Sequence, residues 1–107
     1  MRILLAAGAN LEHVNIAGRT ALSMAALLGK ANLVKLLLSV GANLEHSDLD
    51  LRTPLLMAAR QGKVQVIEVL IAAGANLQHR DYDEMSALDL AEKYNHHEVF
   101  SILKRQS

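Results

Sequence analysis

The chain has 107 residues, enough for one domain with a modest hydrophobic core. Its 11 basic and 11 acidic residues cancel, which excludes a net field that would attract nucleic acid or an anionic membrane surface. Because the chain contains no cysteine, disulfides, a thiolate nucleophile and zinc–thiolate sites are excluded, and a reducing compartment fits the composition.

The sequence repeats itself at a constant interval. The tripeptide Gly-Ala-Asn begins at Gly8, Gly41 and Gly74, so its copies are evenly spaced, with a period of about 33 residues. Such a period is typical of architectures in which each repeat is one supersecondary unit. Further positions recur at the same interval: Thr20, Thr53 and Ser86; Leu22, Leu55 and Leu88; Gly29, Gly62 and Asn95.

In chain order, the repeats predict pairs of short helices. Residues 1 to about 7 have the pattern of the tail of a second helix. In the next unit, the Thr20 hydroxyl caps a helix over residues 21–28, Gly29 ends it, and a second helix follows at about residues 31–40.

The two later units repeat this plan. Thr53 caps a helix that has Pro54 at its first position and ends at Gly62, and the second helix covers about residues 64–73. Ser86 opens the first helix of the last unit, and its second helix covers about residues 97–105. Helices of about ten residues cannot bury their apolar stripes alone, so we expect the units to stack on one another.

The sequence resembles an ankyrin-repeat array over essentially its full length. The resemblance implies an all-α solenoid of stacked helix-turn-helix units joined by extended β-turn loops. It divides a single domain, 1–107, into a partial repeat (1–12), two repeats (13–45 and 46–78) and a C-terminal capping repeat (79–107). The matching segments are Gly18-Arg19-Thr20-Ala21-Leu22 with Ala25-Ala26, Arg52-Thr53-Pro54-Leu55 with Ala58-Ala59, and Ser86-Ala87-Leu88-Asp89-Leu90-Ala91.

The loops depart from the family pattern. The loop glycine is kept at Gly18 but replaced by Leu51 and Glu84, which would cost about 1 kcal/mol or more in a left-handed conformation. Those two tips are therefore either strained or bent differently. The family's His after Pro-Leu is also replaced in every unit, so we expect softer loop packing than in a consensus array.

The two ends of the array differ. The last unit is more polar, as a solenoid cap should be, and Lys104-Arg105 suits the negative end of a helix dipole. At the N-terminus no first helix or polar cap precedes residues 1–7. We therefore expect either a fragment of a longer array or an open edge covered by a partner or by self-association.

Three histidines recur at one loop position, which raises the question of whether they bind metal ions. His13, His46 and His79 follow one another at the repeat period, but stacked helical units sit about 8–10 Å apart and a zinc–imidazole bond is about 2 Å. No two of them can share an ion, and we interpret them as repeated loop structure. The acidic residues beside them lack the central Gly and terminal Glu of a calcium loop.

Catalytic motifs are equally weak. His79-Arg80-Asp81 matches the start of a kinase catalytic loop, but no other kinase element accompanies it. His96-His97-Glu98 begins the last helix, where adjacent histidines face different directions, and we interpret it as a solvated helix start. We expect neither an enzyme nor a bound metal or cofactor.

The resemblance instead implies a surface that binds another protein, of unknown identity, in the cytoplasm or nucleus. In this family that surface is the concave side, formed by loop tips and the exposed edges of the first helices. Leu27 and Leu28 could alternatively pack beneath a loop or a preceding unit. The expected partner-binding residues are Ile16, Ala17, Arg19, Leu49, Asp50, Arg52, Tyr82, Asp83 and Met85 at the tips, and Leu27, Leu28, Arg60, Gln61, Lys93 and Tyr94 on the helices.

Three hypotheses for function follow. A protein-interaction module is favoured, with no membrane or nucleic-acid partner. A purely structural segment of a longer solenoid is the second, and an enzyme the third, although no convincing cluster of titratable residues supports it. An engineered ankyrin binder falls within the first class, but the irregular Leu51, Glu84 and Asn95 argue against consensus design.

Overall fold

The computed structural model describes residues 13–106. Within that range the chain forms helices and loops with no strand, and the predicted all-α solenoid is confirmed. The partial repeat expected at residues 1–12, and with it the open N-terminal edge, lies outside the described residues. The helices are α1 (Ala21–Leu28), α2 (Ala31–Ser39), α3 (Pro54–Gln61), α4 (Val64–Ala72), α5 (Ala87–Lys93) and α6 (His97–Arg105).

The first helix of each unit begins at the predicted hydroxyl cap. The side chain of Thr20 accepts a hydrogen bond from the Ser23 N–H at 3.2 Å, and Thr53 accepts one from Leu56 at 3.4 Å. Ser86 forms a capping box, in which the Asp89 carboxylate in turn accepts the Ser86 N–H. These caps satisfy donors that a helix start leaves unpaired, so the hydroxyl series fixes where each first helix begins.

The same helices end where the chain turns left-handed. Gly29 and Gly62 have φ of +78° and +73°, and each N–H returns to the last turn of its helix. In the last unit Asn95 takes this conformation with φ of +60°. Asparagine tolerates it better than other residues with a Cβ, so the departure from glycine there is mild.

The units stack through both layers of helices. The first helices α1, α3 and α5 lie side by side, and so do the second helices α2, α4 and α6. Alanines line the contact between first helices: Ala26, Ala58, Ala59 and Ala91 have no exposed surface. Their short side chains let neighbouring helices approach closely, and one apolar core runs through all the units. No helix in the described part of the chain is both long and apolar enough to cross a membrane.

Candidate functional site

Each loop between units is organised by one polar side chain. Asp48 Oδ1 accepts the backbone N–H groups of Asp50 at 2.9 Å and Arg52 at 3.0 Å, while the Asp48 carbonyl accepts the Leu51 N–H. Asn15 and Asp81 hold their loops through the same pattern. The hydrogen bonds are those of a tight hairpin turn closed by a left-handed residue. The three tips therefore have one shape.

Leu51 and Glu84 keep the left-handed backbone of the glycine they replace. Their φ angles are +62° and +66°, close to the +79° of Gly18. Of the two alternatives derived from the sequence, the prediction that these tips bend differently is therefore wrong. The alternative, a left-handed and strained tip, is the one observed. The side chains cost roughly 1–2 kcal/mol each in this conformation, and the hydrogen bonds of Asp48 and Asp81 hold the turn against that cost.

Neighbouring loops are bonded to each other. The Leu49 N–H donates to the Ala17 carbonyl at 3.1 Å, and one unit later the Tyr82 N–H donates to the Asp50 carbonyl at 2.9 Å. Histidine rings contact the preceding loop as well. The loops thus form one continuous edge beside the first helices.

His46 and His79 are loop residues, as interpreted from their spacing. Nε2 of His46 lies 2.8 Å from the Gly18 carbonyl, and Nε2 of His79 lies 2.8 Å from the Leu51 carbonyl. Because a carbonyl only accepts, Nε2 carries the proton in both rings. Each of these contacts joins one loop to the preceding loop. Among residues 13–106 no group of three metal-ligating side chains comes together.

Two arginines expected to face a partner are engaged inside the loops. Nε of Arg19 donates to Asp48 at 3.1 Å, and Nε of Arg52 donates to Asp81 at 3.1 Å. The carboxylate side chains are 1% and 0% exposed, respectively, and the Arg52 side chain is only 15% exposed. Charge-assisted bonds to buried carboxylates are strong and directional. Arg19 and Arg52 therefore act first as links between consecutive loops.

The apolar tip residues are the most exposed large hydrophobic side chains among residues 13–106. Ile16, Leu49 and Tyr82 are 97%, 73% and 75% exposed, and they occupy one register position because they follow one another at the repeat period. Since adjacent tips are hydrogen-bonded, these side chains follow one another along the edge. We call them the tip row. Asp50 and Asp83 come directly after Leu49 and Tyr82, with side chains 57% and 67% exposed.

The remaining candidates gather at the other end of the first helices. The Arg60 guanidinium lies 5.2 Å from the centre of the Tyr94 ring, and Lys93 Nζ lies 5.6 Å from it. Leu28, which occupies the same repeat position as Tyr94, is 57% exposed. Leu27 is half-buried, so the alternative that these leucines pack inside the stack fits Leu27 but not Leu28. We call Leu28, Arg60, Lys93 and Tyr94 the helix-end cluster. Of the other candidates, Gln61 is exposed, and Ala17 and Met85 are half-buried.

A helix length separates the two groups. Eight residues of α-helix extend about 12 Å, and the tip row precedes α1, α3 and α5 while the helix-end cluster closes them. The expected surface is therefore not one patch. It is a face with an apolar edge at one side and a cationic, aromatic group at the other.

Sequence reasoning missed some residues that shape this face. Asp48 and Asp81 were not predicted to organise the loops, although they share one position of the repeat with Asn15, which marks a common loop role. His96 is not a solvated helix start: it is half-buried, and its Nε2 lies 2.9 Å from the Arg60 carbonyl. His97 and Glu98 are exposed, as interpreted.

An open groove of about 980 Å³ lies between the second helices α2 and α4. Its charged lining residues are Lys35 and Glu68, both exposed, and apolar side chains such as Leu38 and Val69 make up much of the rest. A lysine and a glutamate on exposed helix faces do not form the nucleophile, base and orienting group of a catalytic site. The groove offers no support for the enzyme hypothesis.

Two family models match the chain, and both describe ankyrin repeats. The family model for ankyrin repeats in three copies matches residues 43–107, which is more than half of the chain. The model for a single ankyrin repeat matches residues 17–49. No curated protein matches the chain.

Proposed function

Because this chain belongs to the ankyrin-repeat family, we propose that it is a non-catalytic module that binds a partner protein through the tip row and the helix-end cluster. Proteins of this family generally bind other proteins. The absence of cysteine, together with the family's usual location, supports an intracellular setting for this activity, in the cytoplasm or nucleus.

One observation carries the proposal. Ile16, Leu49 and Tyr82 are each at least 73% exposed, yet they are large apolar or aromatic side chains placed in register along one edge. Burying such side chains against a partner removes apolar surface from water at about 25 cal/mol per Å². A regular row of them beside charged residues has the composition of a binding patch, with anchors and a polar rim.

The experiment is a pull-down with the intact chain and two double variants. Leu49→Ala/Tyr82→Ala removes two members of the tip row, and their high exposure means that the fold should be retained in circular dichroism. Leu36→Ala/Val40→Ala is the control, because those side chains are also partly exposed, at 37% and 45%, but lie in the second helix α2 and at its C-cap. Arg52 is left unchanged because it links two loops.

We expect the wild type and the control to recover the same proteins, and the tip variant to lose them. If the tip variant retained every protein recovered by the wild type while folded, the binding face would lie elsewhere and the proposal would be overturned.

A further inference from the structure

The positive charges near the tips are already neutralised within the molecule. Arg19 is bonded to Asp48, and Arg52 is bonded to Asp81, each at 3.1 Å and each to a carboxylate that is almost fully buried. A buried carboxylate needs its cation, because an unpaired charge in the protein interior is costly. These guanidinium groups are therefore not free to attract an acidic partner.

The carboxylates left at the surface exceed the cations. Asp50 and Asp83 lie 3.5 and 3.7 Å from the single Arg52 guanidinium, which is closer to Asp81, and both side chains remain more than half exposed. Glu84, next to Asp83, is also exposed. Arg80 is a further cation at this edge: it donates to the Glu84 carbonyl and lies 3.5 Å from Asp89. The carboxylates still outnumber the cations and leave a negative potential around Leu49 and Tyr82. The cations are Arg19, Arg52 and Arg80, and the carboxylates are Asp48, Asp50, Asp81, Asp83, Glu84 and Asp89.

The opposite side of the face has the opposite sign. Arg60 and Lys93 flank the Tyr94 ring, and Lys30 is exposed at the end of α1, with Glu92 as an acidic neighbour. The two groups are about 12 Å apart along a first helix, which exceeds the Debye length of about 8–10 Å near physiological salt. Each group therefore acts on the adjacent part of a partner separately.

From this distribution, and resting on the proposed function, we propose that the partner of the tip row is a polypeptide segment carrying Lys or Arg beside apolar side chains. Its apolar residues pack on Ile16, Leu49 and Tyr82, and its basic residues face Asp50, Asp83 and Glu84. Complementary charge of this kind selects partners and speeds their encounter more than it adds affinity. Acidic residues of the same partner would lie toward the helix-end cluster and so fix its orientation.

The first test is a selection with a library of short random peptides displayed on phage. The intact chain is the target, and peptides that also bind Leu49→Ala/Tyr82→Ala are removed, so that only ligands of the tip row remain. We expect the remaining peptides to be enriched in Lys and Arg over Asp and Glu relative to the unselected library. No charge bias, an acidic bias, or no peptide that depends on the tip row would each overturn the inference.

The second test measures selected peptides against charge variants. Asp50→Asn/Asp83→Asn should weaken binding about 2- to 30-fold at low salt, since each exposed charge pair contributes modestly. The matched control Glu68→Gln/Glu98→Gln makes the same change in net charge on the second helices and should leave affinity unchanged. Equal effects from both pairs would mean that only net charge matters, and would overturn the inference.

The two proposals fail in different ways. If the tip variant loses protein partners in the pull-down but tip-dependent peptides show no basic preference, the binding function stands and the partner chemistry is wrong. If the tip variant loses nothing in the pull-down, the tip row is not the binding face, and the proposed function is overturned together with the inference that rests on it.

Discussion

At the scale of single residues, the unusual feature is a pair of side chains held in a conformation suited to glycine. Glu84 has φ of +66°, and its structural hydrogen bonds use its backbone: its N–H donates to Asp81 and its carbonyl accepts from Arg80. The Glu84 side chain is exposed. In the described structure, therefore, no contact requires a glutamate at this strained position.

We predict that Glu84→Gly raises the free energy of unfolding by about 0.5–1 kcal/mol. Relief of the left-handed strain gives roughly 1–2 kcal/mol, and the greater freedom of glycine in the unfolded chain offsets part of it, roughly 0.4–1 kcal/mol. Urea titration followed by circular dichroism measures the change.

A matched glycine substitution provides the control. Glu68 is also exposed but lies inside α4, where Glu68→Gly should lower stability by about 1 kcal/mol. Opposite signs for the two variants are the expected outcome. A loss at Glu84 comparable to that at Glu68 would show that the tip is not strained.

The left-handed tips were only partly predictable from sequence. The repeat period aligned Leu51 and Glu84 with Gly18, but it left open whether the turn would change shape. The answer depends on Asp48 and Asp81, whose side chains each hold backbone N–H groups across the turn. In a sequence, an aspartate that accepts backbone N–H groups in a turn looks the same as one that coordinates a cation. Only the folded geometry distinguishes the two roles.

At the scale of elements, ion pairs join consecutive loops. Arg52 joins its own loop to the next through Asp81, whose side chain is 0% exposed. We predict that Arg52→Ala lowers the free energy of unfolding by about 2–3 kcal/mol, because it leaves a buried carboxylate without its cation. The loss is below the upper range for buried pairs since Asp81 keeps two backbone donors.

The comparison variant for this pair is Arg80→Ala. Arg80 lies 3.5 Å from Asp89, with side chains 56% and 41% exposed, and exposed pairs of this kind contribute about 0–1 kcal/mol. Chemical denaturation of both variants measures the difference. Equal losses would show that burial of Asp81 contributes nothing and that the loops are held by their backbone bonds alone.

Helix boundaries were more predictable than loop packing, for a physical reason. A helix starts and stops through local chemistry, such as the Thr53 hydroxyl at one end of α3 and Gly62 at the other, and that chemistry is readable in sequence. A loop-to-loop bond joins residues of different repeats, such as Arg52 and Asp81. The local pattern of either repeat does not show which side chains will pair across the two.

At the scale of the whole molecule, the net charge of zero conceals a polarised face. The sequence shows both signs near the tips, and the expected partner-binding residues there include both Arg and Asp. Only the pairing of Arg19 and Arg52 with buried carboxylates reveals that the accessible charge there is negative. Which charges remain available to a partner is a property of the folded stack, so composition could not predict it.

The stack also determines how the molecule unfolds. Ile67 in α4 is 0% exposed within the core that runs through every unit, so Ile67→Ala should cost about 2–5 kcal/mol. Because each unit depends on its neighbours for burial, hydrogen exchange should show α1 and α5 losing protection together with α4. Ile71→Ala, the same change at a half-buried position of that helix, should cost less. Loss of protection confined to α3 and α4 would mean that the units unfold independently, which a shared core does not allow.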